Sequence, residues 1–152
     1  MALRKHTPGA FVRITLDDGS FAYGRLLELP YGAFYDYRTM SPDSDLDRIA
    51  SNPVLFKVAV RHLALDVWEI IGRRPLEVPL TQPVVQFMQD IANFQDCTIF
   101  DTTGYERAAE PQECVGLERA AVWEHYNIER RLLDTFLGRP SIEVDHLKVR
   151  LQ

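Results

Sequence analysis

The chain carries four histidines, His6, His62, His125 and His146, and two cysteines, Cys97 and Cys114. Nucleophilic and metal-assisted chemistry is built from these residue types, but their spacing here supports neither. The sequence has no His-Glu-x-x-His, Cys-x-x-Cys or Gly-x-Ser-x-Gly, and no glycine-rich phosphate loop follows a strand. A zinc or Cys–His site would need the fold to bring Cys97 and Cys114 to a histidine, because no two of these residues have the spacing of a ligand pair. Asp43, Asp45 and Asp47 open like a calcium loop. That loop needs glycine at its sixth position and glutamate at its twelfth, and those positions are Arg48 and Val54. No catalytic residue, metal or cofactor is expected.

The remaining chemistry is that of surfaces. Carboxylates gather in two turn-rich stretches, at Asp17-Asp18 and at Asp43, Asp45 and Asp47. They either solvate loops or contact a partner, since loops carry binding residues more often than sheet centres do. Trp68, between Val67 and Ile70-Ile71, reads as core. Trp123, between Val122 and Glu124, is either core or an interface anchor. The candidate partner-binding set is therefore Asp17, Asp18, Asp43, Asp45, Asp47 and Trp123.

Composition bounds the partner. A chain of 152 residues fits one domain spanning 1–152, with 46% apolar and 26% charged residues. The formal net charge of −5 argues against direct nucleic-acid binding, which needs a basic patch. It favours encounter with a basic protein, such as a nuclease that must itself hold phosphate. Met1 to Pro8 is charged without an apolar stretch after it, so no signal peptide is expected. No apolar run approaches the roughly 20 residues that span a bilayer. Two cysteines are too few for a disulfide framework and fit a cytoplasmic protein.

The elements that must position these groups are mostly strands. Seven of the nine prolines precede residue 84, which disfavours long helices there. Phe11–Leu16 alternates with period two, Asp17-Asp18-Gly19-Ser20 supplies a turn, and Phe21–Leu29 returns. Pro30-Tyr31-Gly32 turns the chain again into Ala33–Tyr37. A short helix falls within Asp43–Ala50, and strands are expected at Val54–Val60 and Val67–Ile71. Val84–Asp90 fits either helix or strand, and its paired valines after Pro83 favour strand. Thr102-Thr103-Gly104 closes a hairpin between Thr98–Asp101 and Tyr105–Ala109. Leu117–Leu137 divides into a strand to Trp123 and a helix capped by Asn127 and ended by Gly138. In that helix Ile128, Leu132, Leu133 and Phe136 form the buried stripe, and Glu129, Arg130, Arg131 and Asp134 face water or a partner. In Ser141–Leu151 the apolar phase slips, which a strand accommodates with a bulge near Asp145-His146.

Three ordered patches carry a family resemblance. The first runs from Gly9 through Asp18-Gly19 to Tyr23-Gly24-Arg25. The second is Trp68-Glu-Ile-Ile-Gly72 with Pro75-Leu76. The third holds Glu113-Cys114, Leu117-Glu118 and Val122-Trp123. Together they resemble the immunity protein 26 family of bacterial polymorphic toxin systems, over about Gly9 to Gly138. The resemblance implies a non-catalytic cytoplasmic protein that binds and neutralises a cognate toxin domain. The expected fold is α+β: a twisted antiparallel sheet or partly open barrel, with a C-terminal helix packed on one face. One rival is a small β-barrel binding module for a ligand or another protein. The other is an enzyme, which would require His125 or His146 to meet Cys97 or Cys114 and a carboxylate.

Overall fold

The computed structural model describes residues 5–152; the first four residues of the N-terminal stretch discussed above lie outside the described residues. Strands β1 (Ala10–Thr15), β2 (Phe21–Leu26), β3 (Tyr31–Thr39) and β4 (Val54–Val60) form an antiparallel meander. Helix α1 (Leu46–Ala50) sits between β3 and β4, and the Asp45 side chain caps it by accepting from the Arg48 amide. Strand β5 (Glu69–Arg73) joins β1 on the outer side. A second sheet is built from β6 (Val85–Gln89), β7 (Cys97–Asp101) and β8 (Glu106–Ala109). The chain then places β9 (Glu118–Arg119) beside β6 and β10 (Val122–Trp123) beside β4, both parallel. Helices α2 (His125–Phe136) and α3 (Ile142–Leu147) finish the chain.

The sheets have strand orders β10-β4-β3-β2-β1-β5 and β8-β7-β6-β9, and neither closes into a barrel. The fold class is α+β, as expected, with two mixed sheets. Val12, Ile14, Phe34, Val58, Trp68 and Trp123 form the main core, and Ile128 and Leu132 of α2 cover it. Alternation explains the register: Val12 and Ile14 share the face that meets α2. Trp68 is 2% exposed and edge-on to Phe34 at 5.7 Å, and its indole N–H donates to Glu129 of α2 at 2.9 Å. That bond ties the sheet to the helix.

Several boundaries differ from expectation for local reasons. β2 stops at Leu26 because Leu27–Tyr31 closes the turn: the Leu27 amide donates to the Tyr31 carbonyl, and the Tyr31 amide to Glu28. β3 accordingly starts at Tyr31. Trp68 precedes its strand, because a 3₁₀ turn over His62–Asp66 continues until the Trp68 amide bonds to Ala64. α2 begins at His125, with Glu124 at the N-cap, and Asn127 lies inside its first turn. Gly138 takes φ +69 just after the helix, as expected of a C′ glycine. Leu117–Trp123 is not one strand; β9 and β10 belong to different sheets. Ser141–Leu151 contains a helix, not a bulged strand. The Ser141 hydroxyl accepts from the Val144 amide at 3.2 Å, and this cap starts α3.

Candidate functional site

Two of the four histidines are engaged by neighbours, and the two cysteines lie together. His6 bonds the Leu27 carbonyl at 2.7 Å, and His125 pairs with Glu129 at 2.7 Å; His62 and His146 are exposed. Cys97 and Cys114 share a buried cluster under the second sheet. Burial, reinforced by neighbouring Cys97, pushes the Cys114 thiol up to about 11. A thiol so raised stays protonated and is a poor nucleophile near neutrality. Among the described residues no group of three His, Cys, Asp or Glu is placed to hold a metal ion.

The loop carboxylates are mostly neutralised from within. Asp18 accepts from the Ser20 amide and hydroxyl and pairs with Arg38 at 2.5 Å. Asp43 accepts from the Tyr37 hydroxyl at 2.6 Å and pairs with Arg48, which also reaches Asp45. Asp47 pairs with Arg74. Among the described residues Asp17 alone of these five has no guanidinium partner. Trp123 is 3% exposed, stacked on Phe56, with the Arg131 guanidinium 5.0 Å from its ring. Its side chain is almost wholly packed inside the protein. Arg131 and Asp134, expected on the outer face of α2, are each 8% exposed. Arg131 turns inward because Phe56 takes its flat face at 3.7 Å and Glu118 takes both its terminal nitrogens at 2.8 Å.

One node joins the first two patches through Arg25, with Tyr35, Arg74 and Glu77 drawn from outside them. The Arg25 side chain is fully buried and lies over the Phe11 ring at 4.0 Å. Its Nε donates to the Gly9 carbonyl, Nη2 to the carbonyls of Arg74 and Pro75, and Nη1 to Glu77 at 2.7 Å and the Tyr35 hydroxyl. Gly9 has φ +91, and a Cβ there would lie 2.2 Å from the Arg74 carbonyl oxygen. Gly24 leaves room for the Phe34 ring, which a Cβ would meet at 2.9 Å. A buried guanidinium is tolerated because every donor finds an acceptor.

A model of the immunity protein 26 family matches residues 7–98, which include this node. The chain belongs to the immunity protein 26 family. No curated protein and no solved structure matches it. The match ends before the third patch of the resemblance, so Glu113 to Trp123 lie beyond the matched residues.

In this immunity protein 26 member the matched motifs build the scaffold, and the uncompensated charge lies elsewhere. Residues 85–114 hold Asp90, Asp96, Asp101, Glu106, Glu110 and Glu113 against a single cation, Arg107. They account for the whole formal net charge of −5, and over the rest of the chain acids and bases balance. Asp90 and Asp101 accept from backbone amides of their own turns, which leaves their charge in place. A hydrogen bond from the Thr103 hydroxyl, then one from its amide, holds Asp101 below the usual carboxylate range. Local clustering of carboxylates does not mark this segment; a running sum of charge along the chain does. The surface clefts measure about 220–320 Å³, at or below the lower end for small-molecule sites. No helix among the described residues is long and apolar enough to cross a membrane.

Proposed function

We propose that this chain is a cytoplasmic immunity protein that binds a cognate toxin domain and neutralises it without turnover. The family match over residues 7–98 carries this reading. The chemistry supports it: the thiols are buried, Cys114 is held protonated, and the exposed carboxylates of the second sheet suit a basic partner. A basic partner is what a toxin acting on nucleic acid would be, because it must hold phosphate. Blocking would then be steric or electrostatic. The loop carboxylates Asp17, Asp18, Asp43, Asp45 and Asp47 form a second, weaker candidate contact, since four of the five already face an arginine.

Co-expression with a cognate toxin domain, sought among the neighbouring genes, tests the reading. Growth should be restored, and the two chains should co-purify as a stable complex. Failure to protect, or protection with no complex, contradicts it.

A further inference from the structure

We propose that the free edge of β8 is where the toxin docks, adding an extended segment that bears lysine or arginine as a further strand of the second sheet. The inference rests on the immunity reading above and specifies its surface.

The two sheets have four open ends, and three of them are blunted. β9 and β10 are each two residues long. β5 meets β1 with a register shift between Phe11 and Val12, and Leu46 lies against its Gly72. Short strands and bulges are the usual protections of an exposed edge. β8 has no bulge: it runs four residues in unbroken register with β7, twice the length of β9 or β10, and it contains no proline or lysine.

The alternation of an antiparallel ladder fixes which groups β8 turns outward. The hairpin closes with the Asp101 amide donating to Tyr105 at 3.0 Å. Bonded pairs then recur at Ile99–Arg107 and Cys97–Ala109. Glu106 and Ala108 therefore direct their amides and carbonyls away from β7. Among the described residues the one side-chain hydrogen bond to any of these four comes from the Arg107 guanidinium, 3.5 Å from the Ala108 carbonyl. An incoming strand would pair with Glu106 and Ala108.

Charge selects the occupant. The edge belongs to the segment that carries the entire net charge, and Asp96, Glu106 and Glu110 there are exposed and, among the described residues, have no guanidinium partner. A second copy of this chain would bring the same acidic surface and be repelled, whereas a basic segment would be drawn in. Apolar contact is available alongside: Tyr105, just before β8, is 61% exposed.

The test uses the full chain and the purified toxin domain against which it protects in co-expression. Ala108→Pro removes one outward amide and places a ring in the path of the new strand. The β7 ladder survives, because proline is tolerated where an edge amide faces solvent. Asp96→Asn, Glu106→Gln and Glu110→Gln together remove charge without touching the backbone. With the melting temperature unchanged, Ala108→Pro should weaken binding at least tenfold. The triple variant should slow association at low salt by about tenfold and flatten its salt dependence. Hydrogen exchange at the Glu106 and Ala108 amides should slow in the complex. If Ala108→Pro does not fold, the triple variant and the exchange measurement decide. A wild-type complex with unprotected amides at 106 and 108 and unchanged triple-variant kinetics overturns the docking edge but leaves the immunity reading intact. A wild-type chain that forms no complex removes both.

Discussion

The guanidinium of Arg25 and the carboxylate of Glu77 meet at 2.7 Å, the arginine fully buried and the glutamate partly open to solvent. The contact joins the first family patch to the segment just after the second. It explains why Gly9, Tyr23-Gly24-Arg25 and Pro75 occur together: the glycines open space, and the backbone carbonyls take the arginine's remaining donors. Arg25→Lys keeps the charge but loses the planar fork. It should cost about 2 kcal/mol or more, by stranding buried carbonyls. A denaturant midpoint matching wild type would mean that the node is not structural.

Gly9 makes the same point from the backbone. Its φ of +91 and the 2.2 Å approach to the Arg74 carbonyl leave no room for a methyl group. Gly9→Ala should lower the melting temperature well beyond the effect of Gly104→Ala, where φ is +93 but no atom lies within 4 Å of a Cβ. Equal losses would show that the backbone angle alone sets the cost.

Trp68→Ala removes a buried ring from between Phe34 and α2 and leaves Glu129 without its indole donor. A loss of about 3–5 kcal/mol is expected. Protection against the toxin should fall only as far as the folded fraction falls. A variant of wild-type stability that no longer binds would move Trp68 to the interface.

The acid limb of stability follows from depressed carboxylates. Hydrogen bonds from the Ser20 hydroxyl and amide, then Arg38, lower Asp18 from 3.8 to about 2. A depressed folded value means that the contribution is present above the unfolded value of 3.8 and is lost as pH falls toward 2. Asp18→Asn should flatten the melting-temperature profile between those limits. Cys114 works in the opposite direction. Its thiol is raised from 9.0 to about 11, so its contribution is complete below 9.0 and lost as pH rises toward 11. Native Cys114 should also resist alkylation at neutral pH until the chain is unfolded.

Much of this fold is legible in the sequence where one face of a strand is buried and its turn is marked by glycine. Phe11–Leu16, the Gly19 turn and the Gly104 hairpin are of that kind. Prediction failed where a single tertiary contact decides the outcome. Arg131 reads as a surface residue, yet Phe56 and Glu118, distant in sequence, draw it inside. The phase slip after Ser141 is a bulge or a helix until the serine cap is seen. The acidic loops show as clusters, and Arg48 stands beside Asp43 and Asp45 in sequence, but the partners Arg38 and Arg74 lie too far along the chain for spacing to reveal. Neutralising Asp43, Asp45 and Asp47 to Asn should therefore slow toxin association less than the β8-side triple variant, while lowering the melting temperature more. The reverse order would return the docking surface to those loops.

Stoichiometric neutralisation by binding is tested most directly by an activity titration of the toxin domain. Increasing amounts of this chain should abolish activity linearly, with an end point at one equivalent that does not move with incubation time. Loss of activity at a small fraction of an equivalent, deepening with time, would reveal turnover and contradict the account.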